Sequence, residues 1–295
     1  MLPRRVKFML ILILGVICLT GSVYTSMAQE PKLLTFGLTP TEDAEAILRN
    51  VKPTVEFLSK KLNMQVKTFV TTDYSAIIEA FRAKKLDVAR LGPLTYVLSS
   101  KLANIEPFMV EIGEKEKSAS YRAIFITRSD SDIYSIGDLK GKSFAFVDPA
   151  STSGHVIPKL IFRKWGLDPD KDLKQVFYSG GHDASCMAVK NKKVDAASIS
   201  ETRLYDMYTK GYAKPEEFRI FLFSDPIAES PYVYRSALPE DFKAKIREAF
   251  MSIPIDQYKS YRKVSGFIPA EDSMYDDLRK AAEIVGLKLD KVMGK

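Results

Sequence analysis

The chain has 295 residues, of which 46% are hydrophobic and 27% are charged, and its formal net charge is +7. This composition excludes a disordered chain, and the length suits two lobes better than one core. Lysines are spread along the chain without an arginine-rich block, so the sequence gives no support to nucleic-acid binding.

The first residues are typical of a secretory signal peptide. Arg4, Arg5 and Lys7 precede an apolar run, and the small residues Ser26 and Ala28 fit the two recognition positions of a cleavage site. The apolar run is shorter than the roughly 20 residues that a membrane span needs. We therefore expect cleavage after Ala28 and a periplasmic mature protein, with an uncleaved membrane anchor as the alternative.

The first half of the mature sequence alternates strand and helix patterns. A strand pattern at 32–38 is followed by apolar residues three or four apart over 43–62, which predict a helix that Pro53 either kinks or divides. We then expect a strand at 64–70, a helix at 73–85 with Asp73 as its N-cap, and strands at 86–92 and 121–127.

A second, similar series of elements follows. Strands are predicted at 142–148, 174–180, 194–200, 218–224 and 231–237, and helices from 151 onward and at 182–193, 201–211, 239–252 and 271–285. Strands separated by helices are typical of parallel sheets with helices on both faces. Because the pattern occurs twice, it predicts two α/β lobes with a cleft between them.

Three hydroxyl side chains stand together where one of these strands leads into a helix. They are Ser151, Thr152 and Ser153, within the segment DPASTSG, and Gly154 behind them permits a close approach of the backbone. The first turn of a helix has free N–H groups and a partial positive charge, so it suits an oxyanion. The alternative is an ordinary helix cap with extra hydroxyls.

A second helix start in the same half has a similar composition. In SGGHDAS two glycines follow a strand, and His182 begins the helix, where it could donate to the same anion. A capping or packed histidine is the alternative. The same helix contains Cys186, which we expect to be a buried packing residue, and we expect neither a metal site nor a cofactor.

Further segments fall in a fixed order around these two motifs. DPASTSGHVIP is followed by GGHDAS, and DYSAIIEAF, LDVARLGPLTY, SYRAIF, DLKGKSFAFVDP and KVDAASIS stand around them. In this combination the chain resembles the substrate-binding proteins of phosphonate, phosphite and phosphate ABC transporters. The resemblance implies an α/β fold of the type II periplasmic binding proteins, in which each lobe is a mostly parallel sheet flanked by helices and a hinge joins the lobes.

The resemblance also implies how the chain is divided and what holds the ligand. Residues 1–28 would be the signal peptide, residues 29–124 and 225–295 the first lobe, and residues 125–224 the second lobe. The oxygens of a tetrahedral phosphorus group would be held by the second-lobe side chains Ser151, Thr152, Ser153 and His182.

Other matching positions would complete the cleft. Tyr74 would reach across from the first lobe, Tyr121 would line the cleft, and Glu201 would meet the amino group of an aminophosphonate. One departure weakens that last expectation, because Ser230, preceded by Glu229, stands where the family often has aspartate. Phosphite, methylphosphonate or phosphate is then an equal candidate. From the residues alone, Tyr74 could pack in the core and Glu201 could be a solvated helix-start charge.

Three functions remain open. The leading hypothesis is a monomeric periplasmic protein that captures a small phosphorus oxyanion and delivers it to a membrane permease, without catalysis. The second is a sensor that signals to a membrane histidine kinase. The third is a hydrolase that uses Ser151 or Ser153 with His182 and Asp183, which is disfavoured because no nucleophile elbow or phosphate loop is present.

Overall fold

The computed structural model describes residues 33–115, 117–258, 263–287 and Val292. The predicted signal peptide, residues 1–28, and its cleavage site lie outside the described residues. No helix in the described part of the chain is long and apolar enough to cross a membrane.

Two main sheets and one short ribbon contain the strands. In chain order the strands are β1 (Leu33–Leu38), β2 (Gln65–Val70), β3 (Val88–Arg90), β4 (Ile105–Gly113), β5 (Ser120–Tyr121), β6 (Ala123–Arg128), β7 (Ser143–Phe146), β8 (Gln175–Tyr178), β9 (Ala196–Ser200), β10 (Phe218–Phe223), β11 (Ile227–Ala228), β12 (Tyr232–Arg235) and β13 (Val264–Ile268). A six-stranded sheet has the order β13-β4-β12-β3-β1-β2, a five-stranded sheet has the order β10-β6-β9-β7-β8, and β5 pairs with β11.

Both main sheets are mixed. In the first, β1 is parallel to β2 and β3, whereas β12 and β13 are antiparallel to their neighbours. In the second, β7 is parallel to β8 and β9, whereas β6 and β10 are antiparallel. The predicted two α/β lobes are present. The antiparallel strands, however, make the sheets less parallel than the sequence pattern indicates.

Helices cover the faces of the sheets. They are α1 (Ala44–Leu62), α2 (Tyr74–Arg82), α3 (Pro93–Leu102), α4 (Ile157–Lys164), α5 (Pro169–Asp172), α6 (His182–Lys190), α7 (Glu201–Thr209), α8 (Glu240–Met251) and α9 (Asp276–Ile284). A wide π-helical turn, Thr152–Val156, leads into α4. Pro53 lies inside α1 and does not divide it. The predicted N-cap of α2 is confirmed, because the Asp73 carboxylate accepts from the Ala76 N–H at 2.7 Å.

The sequence patterns did not predict α3, β4 or β13. Residues 93–99 of α3 are all buried, so this helix has no polar face and no amphipathic period to detect. β4 contains a run of four buried residues, Phe108 to Glu111, and so lacks the alternation of a half-exposed strand. These buried runs therefore hid both elements from an argument based on periodicity.

The two lobes are packed against each other. One hydrophobic cluster contains Tyr74 and Leu94 from the first lobe together with Val147 and Ala197 from the second. The chain passes from one lobe to the other at β5 and returns at β11, and these two short strands pair with each other antiparallel. The C-terminal helix α9 contacts both α3 and α4, so it touches each lobe.

Candidate ligand-binding site

A small cavity lies between the lobes. Its volume is about 90 Å³, and its lining comes from both lobes. A single water needs about 10–15 Å³ on this measure, so the cavity has room for several waters or one small ion.

Among the described residues, five helical segments begin at the wall of this cavity. Their first or capping residues line it: Tyr74 of α2, Pro93 of α3, Thr152 of the π-helical turn, His182 of α6 and Ser200 before α7. Each start presents backbone N–H groups and the positive end of a helix dipole. The cavity therefore lies where several partial positive charges converge.

The hydroxyl row lies in this wall and is buried. Ser151, Thr152 and Ser153 are each no more than 3% exposed, and all three line the cavity. The Ser151 Oγ accepts from the Gly154 N–H at 3.1 Å, which caps the π-helical turn. The Thr152 Oγ1 accepts from the Leu94 N–H of α3 at 2.8 Å, so this side chain bridges the two lobes.

Gly154 allows the hydroxyl row to sit close to the sheet. A Cβ atom at this position would lie 2.3 Å from the Val147 Cγ2 atom, which is closer than real Cβ contacts come. The backbone of the helix start therefore approaches Val147, the residue after β7, at a distance that a side chain would prevent.

His182 is buried at the start of α6. Its Nδ1 atom accepts from the Ser200 N–H at 3.2 Å, so the proton of the neutral ring is on Nε2. Burial, with the Arg203 cation nearby, lowers the pKa of His182 to about 3. This imidazole is thus a neutral donor at ordinary pH, whereas the sequence left its charge open.

Tyr74 is buried at the start of α2. Its side chain is 2% exposed, and its hydroxyl makes no hydrogen bond with the residues that the structure describes. Burial raises the pKa of Tyr74, and the nearby Asp148 carboxylate adds to this increase. Tyr74 is therefore a neutral phenol that lines the cavity with an unused donor.

Of the two remaining predicted ligand residues, Tyr121 lies in the cavity lining and Glu201 lies outside it. Tyr121, on β5, lines the cavity. Glu201 is half-buried at the start of α7, donates its N–H to the Arg122 carbonyl at 3.1 Å, and does not line the cavity. Six of the seven predicted ligand residues thus line the cavity, and their contact with a ligand stays a prediction. Ser230 also lines it.

Sequence reasoning missed an ionic link across the cleft. Arg203 of α7 lies 3.0 Å from the Glu42 carboxylate in the loop after β1, and it also donates to the Thr41 hydroxyl. Lys210 lies 3.1 Å from the same carboxylate. Burial acts to raise the pKa of Glu42, but Arg203 and Lys210 outweigh it, so this pKa is lowered. The sequence could have pointed to this loop, because it follows the carboxyl end of the parallel strand β1, where ligands bind in α/β sheets.

A second charged cluster supports the first-lobe wall. Arg90, which lines the cavity, donates from Nε to the buried Glu111 carboxylate at 2.8 Å, and its Nη2 lies 3.6 Å from buried Glu229. The Tyr258 hydroxyl donates to Glu111 and lies 2.6 Å from the Tyr232 hydroxyl. Both carboxylates are thus held by neighbours within the first lobe.

The remaining histidine and the cysteine lie away from the cavity lining. His155 is buried between the Pro149 carbonyl and the Tyr178 hydroxyl, and Cys186 is a fully buried packing residue whose pKa burial raises to about 12. Within the described residues, no group of three His, Cys, Asp or Glu side chains is placed to hold a metal ion.

Comparison with known proteins assigns the chain to a family. Residues 36–275 match the family model described as "ABC transporter, phosphonate, periplasmic substrate-binding protein". The chain belongs to this family. It is 31% identical over 229 residues to the phosphonates-binding periplasmic protein of Escherichia coli K12, which covers 76% of this chain and 67% of that protein. It is 26% identical over 280 residues to the phosphate-import protein PhnD of Mycolicibacterium smegmatis, with 87% of each chain covered.

A solved structure agrees with this assignment. The binding-protein component of an ABC phosphonate transporter from Pseudomonas aeruginosa superimposes with a TM-score of 0.81 at 26% identity, with 87% of both chains covered. The fold predicted from the sequence, that of a type II periplasmic binding protein, is confirmed. Members of this family are substrate-binding components of transporters.

Proposed function

We propose that this protein captures a small phosphorus oxyanion in the interlobe cavity and releases it to the membrane permease of an ABC importer. The ligand is a phosphonate, phosphite or phosphate, and it is held by Ser151, Thr152, Ser153, His182 and Tyr74, with Tyr121 beside it. The protein acts as a monomer in the periplasm after cleavage of residues 1–28.

The unused hydroxyl of Tyr74 is the observation that carries this proposal. A buried hydroxyl without a partner costs about 1–3 kcal/mol, so its burial is best explained by an acceptor that occupies the cavity. The converging helix starts favour an acceptor with negative charge. The small volume favours a compact ion over a nucleotide or a peptide.

The relatives support a phosphorus oxyanion in particular. One is named for phosphonates and another for phosphate import, and both share most of their length with this chain. Glu201 lies off the cavity lining, so we do not include it among the ligand residues. This exclusion favours a ligand without an amino group.

The geometry of His182 supports binding without catalysis. A hydrolase would need an imidazole nitrogen free to take a proton from a serine. The Nδ1 atom of His182 is engaged by the Ser200 N–H, and the other nitrogen carries the proton. In this arrangement His182 is set to donate to an oxyanion, which supports binding over a role as the base for Ser151 or Ser153.

Calorimetry of the mature protein, freed of any co-purified ligand, tests the proposal with phosphate, phosphite, methylphosphonate, 2-aminoethylphosphonate and sulfate. At least one phosphorus oxyanion should bind stoichiometrically without turnover. The double variant Ser151→Ala with Thr152→Ala should weaken binding about 100-fold or more, because two charge-assisted hydrogen bonds are lost. Thr209→Ala, an exposed hydroxyl on α7, is the matched control and should bind normally. Unchanged affinity in the double variant would remove the hydroxyl row from the site.

A further inference from the structure

Three hydroxyl oxygens in the cavity wall already accept hydrogen bonds from the protein. The Ser151 oxygen accepts from the Gly154 N–H, and the Thr152 oxygen accepts from the Leu94 N–H. The Thr41 oxygen accepts from the Arg203 guanidinium. Each of these hydroxyls has used one of its two lone pairs and still has its own hydrogen to donate, so its remaining capacity shifts toward donation.

Two other groups in the wall are donors as well. The His182 ring carries its hydrogen on Nε2, because a backbone N–H occupies Nδ1. The Tyr74 hydroxyl has no partner among the described residues. Together with the N–H groups of the helix starts, these side chains make the cavity wall rich in hydrogen-bond donors, which favours a ligand that is rich in acceptors.

The acidic side chain in the lining is already occupied. Among the described residues that line the cavity, Glu42 is the one carboxylate, and it is bridged by Arg203 at 3.0 Å and Lys210 at 3.1 Å. Each Glu42 oxygen already faces a cation, so this carboxylate is less available to accept the P–O–H hydrogen of a protonated ligand.

We propose that the cavity selects the fully ionised form of its ligand, the –PO₃ dianion, and discriminates against the singly protonated form. This inference rests on the proposed function. In the dianion all three oxygens accept, and they match the preset donors. In the monoanion one oxygen carries a hydrogen that faces another donor, so one charge-assisted bond is lost and binding weakens about 10- to 100-fold.

Charged protein groups near the cavity must be separated from the ligand in any pH experiment. On the first lobe these are Asp73, Arg90, Glu42, Glu111 and Glu229, and on the second lobe they are Asp148, Arg203, Asp206 and Lys210. Asp148 is the relevant competitor. Burial raises the pKa of this carboxyl to about 6, while the N–H groups of Ala150 and Tyr74 act to lower it.

The test compares two ligands that differ in their own acidity. Methylphosphonate and difluoromethylphosphonate are titrated calorimetrically into the mature protein between pH 5 and pH 8.5, since the fluorines lower the second pKa of the ligand. For each ligand we expect affinity to fall by up to about tenfold per pH unit below its second pKa and to level off above it. The midpoint should be lower for the fluorinated ligand.

Other results would overturn either this inference or the proposed function. A midpoint shared by both ligands, which moves in Asp148→Asn, would assign the titration to the protein and overturn the inference. Equal affinity across the pH range would also overturn it while leaving the proposed function intact. Failure of both ligands, and of phosphite and phosphate, to bind at any pH would overturn the proposed function itself.

Discussion

Two buried tyrosines, Tyr74 and Tyr96, have hydroxyls with different partners. The Tyr74 hydroxyl has no protein partner, whereas the Tyr96 hydroxyl donates to Asp272. Both side chains are no more than 2% exposed, so their packing contributions are comparable. A change to phenylalanine keeps the ring in each case and removes only the polar atom.

Tyr74→Phe should therefore weaken ligand binding about 10-fold or more without lowering the stability of the empty protein. The hydroxyl leaves no protein group unpaired when it is removed, but the ligand loses a donor. Tyr96→Phe is the matched control and should show the reverse, with lower stability and little change in affinity. Calorimetry and urea denaturation measure the two quantities. A stability loss in Tyr74→Phe with unchanged affinity would make it a packing residue.

At the scale of elements, we expect the candidate site to depend on how closely the π-helical turn approaches Val147, at the end of β7. Gly154 sets this distance, because a Cβ atom there would meet Val147 at 2.3 Å. Gly266, on β13, has no atom within 4 Å of the same hypothetical Cβ and serves for comparison.

Gly154→Ala should lower stability by about 1–3 kcal/mol, since it overpacks a fully buried contact. It should also weaken binding, because the turn that carries Ser151 and Thr152 must move away from the sheet. Gly266→Ala should change neither quantity by a comparable amount. Denaturation curves and calorimetry on both variants check this, and normal binding in Gly154→Ala would show that the turn tolerates displacement.

Local sequence was sufficient for some of these elements and insufficient for others. The place of Ser151–Ser153 and His182 in the cavity lining was predictable because the strand end, the glycines and the helix start are adjacent in the chain. Thr41, Pro93 and Arg203 were missed as lining residues because only the tertiary fold brings them together. The buried helix α3 offered no period to detect, and Arg203 pairs with a residue 161 positions away in sequence, a distance that no single motif spans.

At the scale of the whole molecule, two buried histidines and one aspartate determine part of the acid response. Burial lowers the pKa of His155 to about 4 and that of His182 to about 3, and it raises the pKa of Asp148 to about 6. An unfolded histidine has a pKa near 6.5, so below that pH the unfolded chain binds more protons at these positions than the folded chain does. This difference lowers the free energy of unfolding as the pH falls. Asp148 acts in the opposite direction, because the folded carboxyl takes up its proton first.

The free energy of unfolding of the ligand-free protein should therefore decrease between pH 7.5 and pH 5, by about 2 kcal/mol for each histidine, with part of the loss offset by Asp148. Urea denaturation at the two pH values measures this change. His155→Asn should show a smaller decrease than the wild type, although its stability at pH 7.5 will be lower. A wild-type protein that becomes more stable at pH 5 would contradict the assignment of neutral imidazoles.

The two chain crossings, β5 and β11, lie side by side and are joined by Tyr121–Ile227 and Ser120–Ala228 pairing. Backbone pairing joins these two connections into one ribbon. Helix α9 contacts both halves, and Arg163 of α4 donates to the carbonyl of Ile284, the last residue of α9. We therefore expect any relative motion of the two halves to take place about a single axis that passes through this ribbon. On that expectation, the stiffness of the ribbon should influence how long a ligand remains bound between the lobes.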